Sequence, residues 1–599
     1  MGLLSTPTRS PRRLTAVSAP QARSVLFVSL VLGLMLFVWQ LGTTGLVDET
    51  PPLFAASARA MADTGDWLIP RVNGLPRYDK PPLVYWAMGL LYALPGQASW
   101  DPLGSWAARL PSALASVLVM LSLVRTLLRW PQGTRRADLT ALTAALAFAL
   151  SPLVLLWGRI AVSDALFSGC TAISLLLFWC SYASGGQRWW AGWLVLGLAV
   201  LTKGPVALVL AALTLLGFGA LQADLFGLWR CLRSLKGLLI TVLVALPWYG
   251  AALMVEGAPF WNSFFGYHNL QRFSSVVNGH QSPWWFFALM LVLASLPATP
   301  LLLLGLVRGL RGPAVPAHLS LQRFAACWLL AVFLFFTVAV TKLPSYWLPA
   351  TPAAGLLIAL AAQRGAWMAW RLTLLLTLLL ALVFALAPIG LSSLVTPEMP
   401  SLPEALLASQ RLPLAALCLA ASACLGLFGW RRAQPAALLG LQLPLVAFVL
   451  LVLLPLASLG DRLRAEPVRR LAVMARREQP SHLAMVGMLK PSLHFYAGQV
   501  VVYEAATPEG LINLNGRLSQ EHRSGFSPTP ASSGSSFLMV IDTDTAAQPH
   551  WRGLDPVVLG QAGIYALWRL DRQRLEERAR ALQQQGLAAD WHLPRPERY

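Results

Sequence analysis

At 599 residues, 56% hydrophobic and only 12% charged, with a mean hydropathy of +0.59, the chain is far too apolar for a water-soluble protein and falls among polytopic membrane proteins. Its formal net charge of +20 does not mark a nucleic-acid binder, because much of the positive charge sits in short runs between apolar spans, as membrane topology demands. The six cysteines lie in or beside predicted helices with no CxxC pair, which excludes a disulfide framework and leaves them as small core residues.

In chain order, residues 1–23 are rich in Ser, Thr, Pro and Arg and read as a disordered cytoplasmic segment. The first apolar helix, 24 to about 41, follows Arg12, Arg13 and Arg23 and is not followed by a small-residue cleavage site, so it reads as a retained anchor. A span needs roughly 20 apolar residues, and about thirteen candidates start near residues 24, 106, 138, 165, 188, 204, 237, 284, 324, 346, 368, 411 and 435. With that number, the clusters Arg125, Arg129, Arg135 and Arg136, then Arg230, Arg233 and Lys236, then Arg308 with Arg311, Arg364 with Arg371, and Arg431 with Arg432 all fall on one face, which is predicted to be cytoplasmic. Of the carboxylates in the membrane portion, Asp138 and Asp224 go with that face and the others with the opposite one. Leu83 to Leu94 is apolar but short and flanked by prolines, and reads as an interfacial or re-entrant piece of a long outer loop, 42–105.

From about Gly460 the chain turns polar and holds 14 of its 26 acidic residues, so 460–599 is predicted to be a small soluble α/β domain outside the membrane, behind a transmembrane domain of 24–459. AEPVRRLAVMARRE and RQRLEERARALQQQ read as helices; HLAMVGM, QVVVYE, SFLMVIDTD and AGIYALWRL read as strands. RSGFSPTPASSGSS (523–536) reads as a flexible loop, and KPSLHFYAGQVVVYE (490–504) as a strand-turn-strand.

The chemistry-bearing residues collect on the outer face. Asp48 and Glu49 begin DETPPLFAASARAMADTGDW, where a carboxylate with apolar neighbours gains proton affinity and becomes a candidate base; helix capping ahead of Pro51 and Pro52 is the structural alternative. RYDKPPLVYW (77–86) presents Asp79 and Lys80 on a backbone stiffened by two prolines. A lysine in that position is a point-charge partner for phosphate, or simply a snorkelling side chain. Trp86, Trp284 and Trp285 are stacking candidates for a sugar, although interfacial aromatics mostly serve as belt anchors.

TGDWLIPRVNGLPRYDKPPLVYW (64–86), RLPSALAS (109–116), GRIAVSDALF (158–167), LTKGPVALVL (201–210), HNLQRF (268–273) and KLPSYWLPATPA (342–353), in that order, resemble the 4-amino-4-deoxy-arabinose lipid A transferases and the related protein O-mannosyltransferases of the GT-C class of membrane glycosyltransferases. The resemblance spans roughly residues 24–360; the later helices and the tail agree in layout only. It implies a multi-pass enzyme of the bacterial inner membrane that transfers a sugar, with inversion, from a polyprenyl phosphate to a lipid A-like, glycan or protein acceptor. The implied roles are Asp48, Asp164 and Glu49 as catalytic carboxylates, Lys80, Lys203, Arg272 and Lys342 on the donor phosphate, and Asp79, Tyr85, Tyr346 and His268 on substrate. The chain departs from the aminoarabinose pattern at Asp79, where those enzymes carry Glu, a difference in reach of one methylene. No cofactor is required on this reading; Asp79 with His268 is a conceivable divalent-metal pair, with too few ligands to demand an ion. The competing class is a transporter or flippase of lipid-linked sugars, which would show internal repeats and mid-membrane charges rather than charges gathered at helix ends.

Overall fold

The computed structural model describes residues 18–134, 136–271, 282–362, 366–430, 434–523 and 536–593. Residues 1–17, Arg135, Arg272, Arg364, Arg431, Arg432 and all but the ends of the 523–536 loop therefore lie outside the described residues.

Eight described helices are long and apolar enough to cross a membrane, or nine if Phe286–Ala294 and Thr299–Arg311, bent by 112°, count as one span. Shorter apolar helices, Ala137–Ala149, Trp189–Lys203 and Val206–Gln222, pack among them. The first helix starts at Ala19, earlier than the sequence reading, because the Ser18 hydroxyl accepts from the Gln21 amide and Pro20 suits a first turn; residues 19–23 are thus helical. Ser105–Arg129 and Ser163–Ala183 are the central helices and carry the small and hydroxyl residues that let backbones approach. Gly169 lies where an added Cβ would come within 3.0 Å of the Ala115 Cβ, and the Ser174 hydroxyl donates to the Gly192 carbonyl on the next helix at 2.8 Å.

The two ends of the bundle differ. At one, the Gln21 side chain donates to Asp138 (3.0 Å), joining the start of the first helix to the Arg136 turn. At the other lies the long loop after the first helix: helix Thr50–Thr64, a hairpin of β1 (Arg71–Val72) and β2 (Leu75–Pro76), and helix Leu83–Tyr92. Ten residues make Leu83–Tyr92 only about 15 Å long, half a hydrocarbon core. It lies on Thr50–Thr64, with Phe54 stacked on Tyr85 at 5.3 Å.

The same end carries a five-stranded mixed sheet: β3 (Leu483–Val486), β4 (Val501–Glu504), β5 (Ser536–Asp542), β6 (Val557–Ala562) and β7 (Tyr565–Asp571), in the order β4-β3-β5-β7-β6. β3 is parallel to β4 and β5; β7 is antiparallel to β5 and β6. Both faces of the inner strands are covered, so they read as continuous apolar runs. Leu483, Met485, Leu538 and Val540 face helix Glu466–Glu478, whereas Ala484, Val486, Met539 and Ile541 face helices Pro508–Arg523 and Arg572–Gln584. β6, an edge strand of half-exposed residues, was not foreseen from the sequence.

Two local expectations are corrected. Helix Glu466–Glu478 is not a separate element: the last span continues unbroken from Pro435 to Glu478, because burial of Val468, Leu471, Ala472 and Ala475 against the sheet keeps the helix going past Gly460. KPSLHFYAGQ is not strand and turn. Ser492–Ala497 is a helix whose first amide, that of Ser492, donates to Asp48, 444 positions earlier.

Candidate active site

A cavity opens where the long loop meets the ends of the helices, and Asp79, Lys80, Lys203, His268 and Tyr346 all line it. Asp79 is placed by its own loop. Arg77, 4% exposed, grips both carboxylate oxygens (2.8 and 2.7 Å), and the Tyr85 hydroxyl donates to one of them at 2.9 Å. The Arg77 guanidinium lies 5.0 Å from the centre of the Phe54 ring, so helix Thr50–Thr64 backs the whole arrangement. Burial pushes the Asp79 carboxyl up, but the Arg77 and Lys80 charges outweigh it and hold the group well below the usual carboxylate range. Lys80 Nζ donates to the Asp79 carbonyl (2.7 Å) and stands 3.6 Å from its carboxylate. The Pro81–Pro82 pair then starts helix Leu83–Tyr92.

The facing wall is made by two helix ends. Asp164 is in the first turn of Ser163–Ala183 and Lys203 is the last residue of Trp189–Lys203, so each charge sits at the helix terminus that favours it. They meet at 2.5 Å, and the Ser345 hydroxyl also hydrogen-bonds Asp164. Gly204 closes the Lys203 helix at φ +100°, a conformation only glycine adopts readily. Lys203 Nζ lies 5.0 Å from the Tyr346 ring centre, and Tyr346 in turn stacks on Phe336 at 4.8 Å. Lys342 is buried beside the cavity, donating to the carbonyl of Ala339, itself a lining residue (2.8 Å). Lys80 and Lys203 line the opening with Asp79, and Arg77, Lys342 and Asp164 stand behind that lining, so cations outnumber carboxylates while both carboxylates stay paired, an arrangement that attracts an anion.

Not every expected residue is here. Arg272 lies outside the described residues. Asp48 and Glu49 do not line the cavity. Both oxygens of Asp48 are engaged by Ser492, by its amide at 2.8 Å and its hydroxyl at 2.7 Å, and burial raises its carboxyl against these bonds. Glu49 is exposed at the start of Thr50–Thr64 and makes no side-chain cap. Asp79 and His268 do share the cavity, but Arg77 and Tyr85 occupy Asp79; among the described residues, no group of three or more His, Cys, Asp or Glu side chains is arranged to hold a metal ion. Trp86 donates to the Trp67 carbonyl (2.7 Å) and so braces the loop. In the tail, His494 and Tyr496 bond the Asn73 and Leu46 amides and fasten the sheet to the loop. The sequence reading missed Arg77 and Ser345; an arginine two positions before Asp79 was the available signal for the first, whereas only the folded chain brings Ser345 to Asp164.

Comparison with known proteins extends the resemblance. The family described as dolichyl-phosphate-mannose-protein mannosyltransferase matches residues 79–250, and that described as cyanobacterial RgtA-type glycosyltransferase, C-terminal domain, matches 476–586, a relationship not seen in the tail by inspection. The undecaprenyl phosphate-alpha-4-amino-4-deoxy-L-arabinose arabinosyl transferases of Pseudomonas paraeruginosa and Edwardsiella ictaluri are 33% and 31% identical over 309 and 327 residues, which is 50% and 53% of this chain and 52% and 55% of theirs. The chain thus spans about half the length of the curated relatives it matches. ArnT from Cupriavidus metallidurans, solved bound to undecaprenyl phosphate, superposes with a TM-score of 0.74 at 22% identity, covering 92% of this chain and 98% of that one. The protein is accordingly a multi-pass membrane protein with the GT-C fold of ArnT, and a relative of the aminoarabinose and protein-mannose transferases.

Proposed function

We propose that the protein is an inverting membrane glycosyltransferase that moves a sugar from a polyprenyl phosphate donor, of the undecaprenyl type, to a lipid A-like, glycan or protein acceptor. The observation that carries this reading is the convergence of Lys80 and Lys203, 123 positions apart in the chain, on one cavity beside two carboxylates that are each already paired with a cation. The donor phosphate lies against Lys80 and Lys203, with Lys342 adding charge from behind. As the bond between the sugar C1 and the phosphate oxygen breaks, the negative charge that grows on the leaving phosphate is met by fixed cations. An acceptor oxygen forms the new C1–O bond from the opposite face, and where that oxygen is a hydroxyl its proton passes to a carboxylate. Asp164, which meets the lining residue Lys203 at 2.5 Å, is the carboxylate we assign to that role, and Tyr346 lines the sugar side. The gathering of charges at helix ends, rather than mid-span, favours this reading over a transporter.

In this reading the cavity and the sheet face the periplasm and the N-terminus is cytoplasmic. Thiol labelling from outside the cell in a Cys424-free background should modify Thr50→Cys and spare Gly133→Cys; the reverse pattern would invert the topology. The activity itself is tested by incubating membranes with labelled polyprenyl-phosphate sugars and candidate acceptors, with and without chelator. Lys80→Ala and Lys203→Ala should abolish transfer and the chelator should not. Normal rates in both variants would remove the assignment.

A further inference from the structure

The walls of the cavity differ in how they are held. Lys203 stands at the end of a helix packed in the bundle, whereas Asp79 and Lys80 sit on the loop after the β1–β2 hairpin, and His268 and Asn269 on the helical segment Trp261–Gln271. One side chain outside the lining ties those last two walls together. Glu256 is the last residue of the span Ser234–Glu256, and Gly257, at φ +63°, turns the chain from there toward Trp261–Gln271. The Glu256 carboxylate accepts from the Tyr78 hydroxyl at 2.5 Å and lies 3.6 Å from Arg71 on β1. Tyr78 is the residue before Asp79, so this bond holds the backbone that carries Asp79 and Lys80.

Apolar contacts extend the tie. The Tyr78 ring meets Phe260 edge-on at 5.8 Å, and Phe260 stacks on Phe264 at 5.7 Å. Phe264 reaches the turn behind Lys203, where a Cβ added to Gly204 would stand 3.2 Å from its ring. About two turns before Glu256 on the same span, the Trp248 indole donates to the Leu68 carbonyl at 3.0 Å, a second fastening of the outer loop. Tyr78 and Phe260 are buried and the Glu256 side chain is only 16% exposed, so water competes little for the bond between Tyr78 and Glu256. The helix itself does not call for this residue: a carboxylate at a helix C-terminus meets the negative end of the dipole. What Glu256 gains comes from the outer loop.

We infer that Glu256 is a positioning residue: through Tyr78 it holds Lys80 at a fixed distance from the wall that carries His268 and Asn269, and so sets the width of the cavity where the donor phosphate is gripped. The kinetic consequence rests on the proposed function; the latch itself does not. A grip made before transfer and kept during it acts on binding, so loosening it raises KM for the donor and spares kcat. Glu256→Ala should raise KM for a labelled polyprenyl-phosphate sugar about tenfold, the value of one charged hydrogen bond, and change kcat less than about twofold. Tyr78→Phe should do the same, and the double variant should be no worse than either single, because both cut one bond. Glu256→Gln keeps an acceptor oxygen in place and should restore most of the donor affinity. Arg71→Gln removes only a half-exposed contact and should shift KM less than about twofold. The latch is read without activity by spin labels at the exposed positions Leu75→Cys and Leu270→Cys of the full chain in a cysteine-free background. The label-to-label distance should be narrowly distributed with Glu256 present and broadened in Glu256→Ala. An unbroadened distribution would overturn the latch, and a broadened one with unchanged KM would overturn the positioning role. Broadening in a protein that transfers no sugar would uphold the latch and remove the proposed reaction instead.

Discussion

The cavity around Lys80 and the junction around Asp48 are built from the same materials, buried carboxylates and cations brought in from distant segments, yet they do opposite things. At the cavity, Asp79 and Asp164 are each in direct contact with a cation, yet Lys80 and Lys203 still line an open volume. At the junction the polar groups close on one another. Asp48 accepts twice from Ser492, the Asn73 side chain exchanges two bonds of 2.8 Å with the Val501 backbone, and the Gly45 amide donates to Asp461. Polar burial that ends in an opening supports ligand binding, whereas polar burial that saturates itself serves to dock one part of the chain on another.

That contrast can be broken by mutation. The largest effect is expected at the cavity: Lys203→Met should cut transfer by about a hundredfold or more, as removal of a preorganised charge at a reacting group does, and should lower the melting temperature as well, because Asp164 loses the cation it meets at 2.5 Å. Arg77→Ala comes next and should act on stability as well as rate, because it removes the cation that grips both oxygens of buried Asp79 and leaves only Lys80 at 3.6 Å, a loss of up to about 3–5 kcal/mol that thermal unfolding in detergent would read; Arg77→Lys should recover only part of it. Asp48→Asn should be milder, about 1–2 kcal/mol in stability, since it disturbs two bonds of a closed junction. A loss of transfer by Asp48→Asn far beyond that loss of stability would place the residue in the chemistry after all, and the contrast drawn here would fail.

The smallest effect is in pH dependence, and the two carboxylates should have opposite signs. The folded Asp79 carboxyl is held below its unfolded value of 3.8, so its contribution is present above that pH and disappears as pH falls below it. The folded Asp48 carboxyl is raised, so its charged form costs stability at neutral pH and the cost is relieved as pH falls toward 3.8. Melting curves from pH 7 to pH 4 should therefore show wild type gaining on Asp48→Asn as the pH drops. A gap that stays constant would mean the Asp48 side chain is not titrating in that window.

Much of this was legible in the chain before any coordinates. The apolar runs, the arginine-rich turns and the short Pro-flanked stretch after Lys80 report their own environment, because the cost of placing a residue in hydrocarbon is a property of that residue and its near neighbours. Four of the five strands of the sheet domain, β3, β4, β5 and β7, were visible for the same reason, as unbroken apolar stretches; the half-exposed edge strand β6 lacked that signal. Lys80, Lys203 and Tyr346 were recognisable as candidates because each lies in a polar turn between apolar runs.

What sequence alone could not settle is which polar residue meets which. Asp48 and Asp164 look alike in the chain, each a carboxylate at the start of a helix, and only the folded molecule gives one to Ser492 and the other to Lys203. The same holds for the helix at Ser492, capped from 444 positions away, and for the final span, kept helical beyond Gly460 by the sheet it packs on. Composition determined that this chain enters a membrane and where its polar turns lie, since solvation is local; the partners of those turns were decided by tertiary packing, because hydrogen bonds and ion pairs act over a few ångströms in space whatever the distance along the chain.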